Sequence, residues 1–411
     1  MRHRVMSAAL VVAVATAGAA GYWYFVRSAP AGALRADAPM LGADPGDAGL
    51  LVSALRWPGA RNAGDCDSGA SRRDADPQSV ARRDRATTKA LDAIAAELAA
   101  SALPADHALG LYVQMAAAAV DIHAQFARQN PQCAQDPSCG TREDAALLQG
   151  ARPYLDGLAA AAAANNDPAA YGLAYLSCTG TDAAAAGACA QISARQWAQI
   201  EPQNALPWLF VAGEAGRQLQ APLVADAVFR ASRAQGIDSH WHLYAKLLSA
   251  GALQGQGADV RNDVALAAMG MAAATRFAPY QPVFSYCAGD ALADPNRRQV
   301  CDDLANVLTE RSDTSTALQV GTRLGERLGW PAPRLDELRA RRDAYYQLAF
   351  DRIGSDPDSC ASLERQRAWI AETLDYGETG AARRALAASG QTTAQLAGRR
   401  RVAAQAQADA H

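Results

Sequence analysis

Lysine is almost missing from this chain: of its 39 basic residues, only Lys89 and Lys246 are not arginine. Few residues are left to form a Schiff base or to reach a bound phosphate, and the P-loop pattern GxxxxGK[ST] does not occur. HExxH, GxSxG and GxGxxG do not occur either; Gly255-Gln256-Gly257 lacks the third glycine and a preceding strand. Zinc-finger chemistry fails on spacing, because there is no CxxC and none of the six histidines stands at ligand distance in sequence from a cysteine pair. Neither a cofactor nor a metal is expected. Aromatic residues are only 6% of the chain, and alanine supplies much of the apolar half. Small side chains withdraw little area from water each, so stability has to come from many closely packed helices. Strand alternation and hairpin signals are lacking throughout. The expected fold class is all-α. A net charge of −3 favours no class of partner, and Arg399–Arg401 read as solvated charge rather than a nucleic-acid contact.

What the chain does have is cysteine in pairs. Of eight cysteines, six fall into Cys133/Cys139, Cys178/Cys189 and Cys287/Cys301, each at a predicted helix-to-helix junction where a bridge ties two helix ends. Cys66 and Cys360 remain, and together they would clamp the N-terminal extension to the far end. Eight cysteines allow about a hundred connectivities, and nearest-neighbour pairing is the most economical of them. Such bridges belong to an oxidising compartment.

The N-terminus agrees with export. Arg2, His3 and Arg4 precede a run without charge from Ser7 to Val26, which ends in Tyr22, Trp23, Tyr24 and Phe25. A helix over that run rises about 30 Å, enough to cross a bilayer core, with its aromatic residues where an interfacial belt would sit. Residues 1–27 are therefore expected to anchor the chain in the inner membrane, basic end inside, with the remainder in the periplasm. The alternative is a cleaved signal peptide, for which Ala15-Thr16-Ala17 and Ala17-Gly18-Ala19 offer small-residue cleavage sites.

Composition and proline placement divide the rest. Residues 28–76, rich in Ala, Gly, Asp and Pro, read as a flexible tether. Regular structure is expected from Pro77, with an N-terminal helical lobe over 77–166, helical repeats over 167–277 and a C-terminal helical lobe over 278–390. The end, 391–411, has weak periodicity and is expected to fray.

The stretch Gln191–Ile237 carries the clearest pattern. Pro202 stops one helix, Asn204 is a good N-cap, and Pro207 is tolerated in the first turn of the next. Trp208, Ala212 and Ala215 follow on one helical face, then Ala225, Phe229 and Ser232 repeat the spacing, and Gly236 is expected to end that helix. Tyr175 and Trp241 stand 33 residues to either side of Trp208. This arrangement resembles a degenerate tetratricopeptide (TPR) repeat, whose period is about 34 residues. The resemblance implies a TPR-like α-solenoid in which the first helix of each pair lines a concave surface. Here that surface would carry Leu206, Leu209, Gly213, Gly216 and Arg217. The Lys and Asn of the family's carboxylate clamp are not present at those positions, so an apolar or helical partner is implied rather than a C-terminal carboxylate.

The densest cluster with chemical potential is Asp238, His240, Trp241, His242 and Tyr244, which would supply a general base or metal ligands. Residues two apart on a helix point about 200° apart, so His240 and His242 are not expected to share one ion, and Asp238 has a plainer use as an N-cap. His123, beside a core stripe, reads as structural. The function expected is a membrane-tethered periplasmic scaffold that binds a protein or peptide without catalysis. One alternative is an envelope hydrolase with a site at His240, His242 and Tyr244; another is a structural component of an envelope assembly.

Overall fold

The structure is a computed structural model that describes residues 77–135, 139–179, 187–274, 278–353 and 360–409. The expected anchor or signal segment, the tether and the pairing of Cys66 with Cys360 lie outside the described residues. Among the described residues the first helix opens at Pro77, and fourteen further α-helices follow it. In chain order they are α1 (Pro77–Ala99), α2 (Pro104–Gln129), α3 (Cys139–Asn165), α4 (Pro168–Cys178), α5 (Ala194–Ile200), α6 (Ala205–Arg217), α7 (Ala221–Arg233) and α8 (Trp241–Ser249). Then come α9 (Ala258–Ala273), α10 (Gln281–Tyr286), α11 (Pro295–Glu310), α12 (Ser315–Leu328), α13 (Ala332–Ile353), α14 (Cys360–Ser389) and α15 (Thr393–Asp409). The described residues contain no strand, only two isolated parallel bridges, so the fold class is all-α. This is compatible with a helical repeat. None of the described helices is long and apolar enough to cross a membrane.

Local chemistry sets the helix starts. Asp167 accepts the Ala170 N–H at 2.9 Å with Pro168 as the first helical residue, and Asp294 does the same for Asn296 ahead of Pro295. Thr314 caps α12 through Ala317 N–H. At its far end Gly329 takes the left-handed conformation, φ 75°, that closes a helix without a Cβ penalty.

The chain folds into two compact units, both discontinuous in sequence. One takes the described residues up to Ser193 with those in 243–276 and 358–370; the other takes those in 194–242, 277–357 and 371–411. In the first unit α1 and α2 pair, α2 and α3 pair, and α4 packs on both α2 and α3, while α9 returns to pack on α1. In the second, α5, α6 and α7 pack in succession, α11 packs on α7 and α12, and α10 packs on α6 and α7.

Three disulfides fasten helix ends within these units, pairing as nearest neighbours. Cys133–Cys139 ties the turn after α2 to the start of α3, Cys178–Cys189 ties the end of α4 to the 187–191 turn, and Cys287–Cys301 ties the end of α10 to α11. Their Cα atoms are 5.3, 5.4 and 5.8 Å apart, within the range a disulfide spans.

Three sequence expectations need correction. Phe229 does not lie on the buried stripe of α7: it is 46% exposed, and Ala227, Val228, Ala231 and Ser232 form the buried face instead. Gly236 does not end that helix by a left-handed turn. It is small because the backbone of Arg311 passes against it, and a Cβ there would lie 2.5 Å from the Arg311 carbonyl oxygen. The tail does not fray into coil: α15 forms over Thr393–Asp409, buries Leu396 and Ala397, and packs on α13 with Arg399 bonded to Asp351 at 2.7 Å.

The first unit keeps charge in its interior. Asp84 on α1 is buried, with the Arg83 guanidinium 3.8 Å from its carboxylate. Asp263 on α9 takes Arg83 Nε at 3.1 Å and the Thr87 hydroxyl at 3.2 Å. Burial pushes the Asp84 carboxyl up to about 7; Arg83 and Arg85 oppose this and Asp263 adds to it. A carboxyl raised on folding contributes fully below its ordinary value of 3.8, and that contribution is lost as pH climbs through about 7. Wild-type stability is therefore expected to fall from pH 4 to pH 7 relative to Asp84→Asn, by about 1–2 kcal/mol once solvent screening is allowed for. Thermal denaturation of both chains over that interval measures the difference, and parallel curves would show that Asp84 is not its source.

Candidate functional site

Three inter-helix turns and one helix kink converge within the second unit. They are the 201–204 turn before α6, the 234–240 turn before α8, the 311–314 turn before α12, and Gly377 inside α14, whose φ of 71° and ψ of 168° break the helix. Asn204 joins the first two: it caps α6 through Leu206 N–H at 3.0 Å, accepts Asp238 N–H at 3.1 Å and donates to the Asp238 carbonyl at 2.7 Å. Main-chain bonds run alongside, from Ala205 N–H to Gly236 and from Ile237 N–H to Arg311. Asp313 joins the second to the third, accepting the Ser239 N–H at 2.6 Å and the Ser239 hydroxyl at 3.1 Å. The kink is held by Thr379 N–H on the Asp313 carbonyl at 3.2 Å, and by Glu378, which accepts both the N–H and the hydroxyl of Ser315 at 2.7 Å.

His240 sits in the middle of this arrangement. It is buried, and its φ of 56° is left-handed, a conformation that costs a residue with a Cβ. Its backbone N–H donates to Asp238 Oδ1 at 2.8 Å, closing an Asx turn. Its Nε2 lies 3.2 Å from Glu201 Oε2, which also accepts the Trp197 indole N–H at 3.1 Å. Its Nδ1 lies 3.9 Å from Asp238 Oδ1, and the exposed His242 ring stands edge-on, 5.8 Å between centroids.

The electrostatics follow from burial among acids. Burial alone lowers the His240 imidazole, but the hydrogen bond and charge of Glu201, then Asp238 and Asp313, outweigh it and leave the ring raised. Burial pushes Asp313 up to about 7 despite the two bonds from Ser239. Glu378 is also raised by burial, against the bonds from Ser315.

This geometry revises the expected site. His240 is not on the helix: α8 begins at Trp241, so the argument that His240 and His242 point apart does not apply. Asp238, His240 and His242 bring one donor atom each to within 4.8 Å of one another. Tyr244 is not part of the cluster. It belongs to the first unit, buried edge-to-face on Tyr112 at 6.1 Å, where burial and then Tyr112 hold its phenol protonated. The Ser239 hydroxyl is directed to Asp313 and not to the imidazole, so the turn is not wired as a nucleophile and its base. His123 is structural, paired with Glu143 of α3.

The expected concave strip on α6 is covered by the chain itself. Leu206 and Leu209 are buried. A Cβ on Gly213 would lie 2.1 Å from Pro279, and one on Gly216 would lie 2.8 Å from Pro282, so the segment entering α10 lies against this strip. Only Arg217 of the five is exposed. Trp208 is buried as its spacing implies, donating to the Pro202 carbonyl at 3.1 Å beneath the Arg230 guanidinium, 5.0 Å from its ring.

A shallow cleft of about 360 Å³ opens instead beside α7, α10 and α11. Phe229 and Arg233 line it from α7, Tyr286 from α10, and Asp294, Arg297 and Val300 from the start of α11. Arg297 lies over the Tyr286 ring at 4.4 Å and Arg233 over Phe229 at 5.6 Å.

The sequence reading missed Glu201, Asp313 and Glu378. Each reaches the site from a separate turn or kink, 39, 74 and 63 residues from its partner, and no local motif announces such pairs. The chain matches no protein-family profile, no curated protein and no solved structure.

Proposed function

We propose that the protein is a membrane-tethered, exported helical scaffold of the periplasm that binds an anionic segment of a protein or peptide partner without catalysis, in the cleft beside α7, α10 and α11. The observation that carries this reading is the lining of that cleft: two arginines, each lying over an aromatic ring, on walls that a disulfide fixes. Cys287–Cys301 ties the end of α10, which carries Tyr286, to α11, which carries Arg297. Stacked guanidinium groups keep free donors for carboxylates while the rings supply apolar area, and prior fixation of the walls reduces the ordering cost of binding. Arg233 is 55% exposed while it leans on Asp303 at 3.5 Å, so its remaining donors face outward. Export is supported by the three bridges, which suit an oxidising compartment, and by the uncharged N-terminal run.

A photo-crosslinking residue at Phe229 of the full-length protein in its membrane tests the reading. Crosslinking to a discrete partner is expected, and Arg233→Glu with Arg297→Glu should weaken it at least tenfold without moving the Tm. Crosslinking that survives the double charge reversal would overturn recognition of an anionic segment. Loss that appears only with Arg217→Glu, the exposed residue of the α6 strip, would return recognition to α6.

A further inference from the structure

We propose that Asp238, His240 and His242 form a binding site for one divalent first-row transition metal ion of the zinc type. Two imidazoles and a carboxylate are the borderline donor set that such ions prefer over calcium or magnesium. One donor atom from each of the three residues lies within 4.8 Å of the others, so small side-chain adjustments close a common coordination sphere. The site is built on a left-handed residue. With His240 in helical conformation the two imidazoles would diverge; at φ 56° the His240 ring stands 5.8 Å from that of His242. The buried member is also held from behind. Glu201 takes His240 Nε2 at 3.2 Å, leaving Nδ1 on the side of Asp238, 3.9 Å from its Oδ1.

A carboxylate behind a ligating histidine fixes the ring's tautomer and orientation and strengthens it as a donor. Glu201 is in turn positioned by the Trp197 indole N–H at 3.1 Å. Asp238 is positioned by Asn204, which holds both its N–H and its carbonyl. Asp238 and His242 are exposed whereas His240 is buried, so an ion reaches the cluster from solvent and meets a rigid inner ligand. Three protein donors leave a further position for water or for a donor from another molecule. This inference stands apart from the anionic-partner reading, since the cleft residues contribute no ligand.

The test uses the untagged full-length chain in detergent. Zinc is titrated in competition with a chromogenic chelator, and the d–d spectrum of bound cobalt(II) is recorded. One equivalent is expected to bind, and zinc should raise the Tm of the wild type by an amount that grows with the logarithm of its concentration above the Kd. His242→Ala removes an exposed ligand and should weaken binding roughly 100-fold while leaving the metal-free Tm unchanged. Glu201→Gln, a change behind the ligands, should weaken it about 10- to 100-fold. Asp238→Asn keeps the backbone bonds to Asn204 and should also lose affinity, which guards against misfolding in His240 variants. No zinc bound at micromolar concentration, or equal binding by wild type, His242→Ala and Asp238→Asn, would overturn the site.

Discussion

Replacing Trp197 by alanine is expected to cost about 3–5 kcal/mol and to unfold the second unit. Trp197 is completely buried and is the largest side chain in that condition among the described residues. Its ring packs on Phe210 at 5.9 Å and on His240 at 6.4 Å, while its indole N–H donates to Glu201 at 3.1 Å. Alanine therefore leaves a cavity in a helix-packed interior and removes a donor from a carboxylate that His240 also uses. Trp197→Phe keeps most of the apolar area and loses the donor, so it should cost about 1–2 kcal/mol. Urea unfolding followed by circular dichroism measures both. A loss below 1 kcal/mol for the alanine variant would mean that the interior closes over the gap, and the account of the His240 support would fail with it.

The contrast between Trp197 and Trp208 shows where sequence reading succeeds here. Helix existence and most boundaries follow from prolines and short polar caps, which act over three or four residues: Pro77, Asp167-Pro168 and Asn204 all open helices or turns as their chemistry requires. The three close cysteine pairs were legible for the same reason, since six to fourteen residues separate the partners. Trp208 was legible because its period with Ala212 and Ala215 is local. Trp197 carries no such local signal, because what makes it important is Glu201 together with two rings from other segments.

The same limit explains the errors. Phe229 has the spacing of a core residue, but Ala227, Val228 and Ala231 form the buried face of α7, and Phe229 lines the cleft beside α10 and α11. The α6 strip reads as an open surface until Pro279 and Pro282, some 66 residues on, are laid against its glycines. Helical geometry would turn His240 away from His242, and one left-handed residue brings the two rings together. Asn204 and Asp238 lie 34 residues apart and bond side chain to backbone, so the turns carry the candidate site through pairs that no local pattern announces.

The turns also make the second large effect predictable. Gly377→Ala is expected to destabilise by about 3 kcal/mol or more. A φ of 71° with a ψ of 168° is open essentially to glycine alone, which accounts for about 1–3 kcal/mol. Sterics add to it, because a Cβ at Gly377 would lie 2.6 Å from the Asp313 Cβ and 2.8 Å from its carbonyl oxygen. Neither atom is the end of a flexible side chain, so the 311–314 turn has to move. Movement there strains the Thr379 N–H bond to Asp313 and both Ser239 bonds to the Asp313 carboxylate. Gly255 supplies the control, with a φ of 77° and open space where its Cβ would be. Gly255→Ala should cost only the backbone term, about 1–2 kcal/mol. Urea unfolding of both variants separates the two contributions, and equal losses would mean that the kink at Gly377 does not bear on the turn that holds Ser239 beside His240.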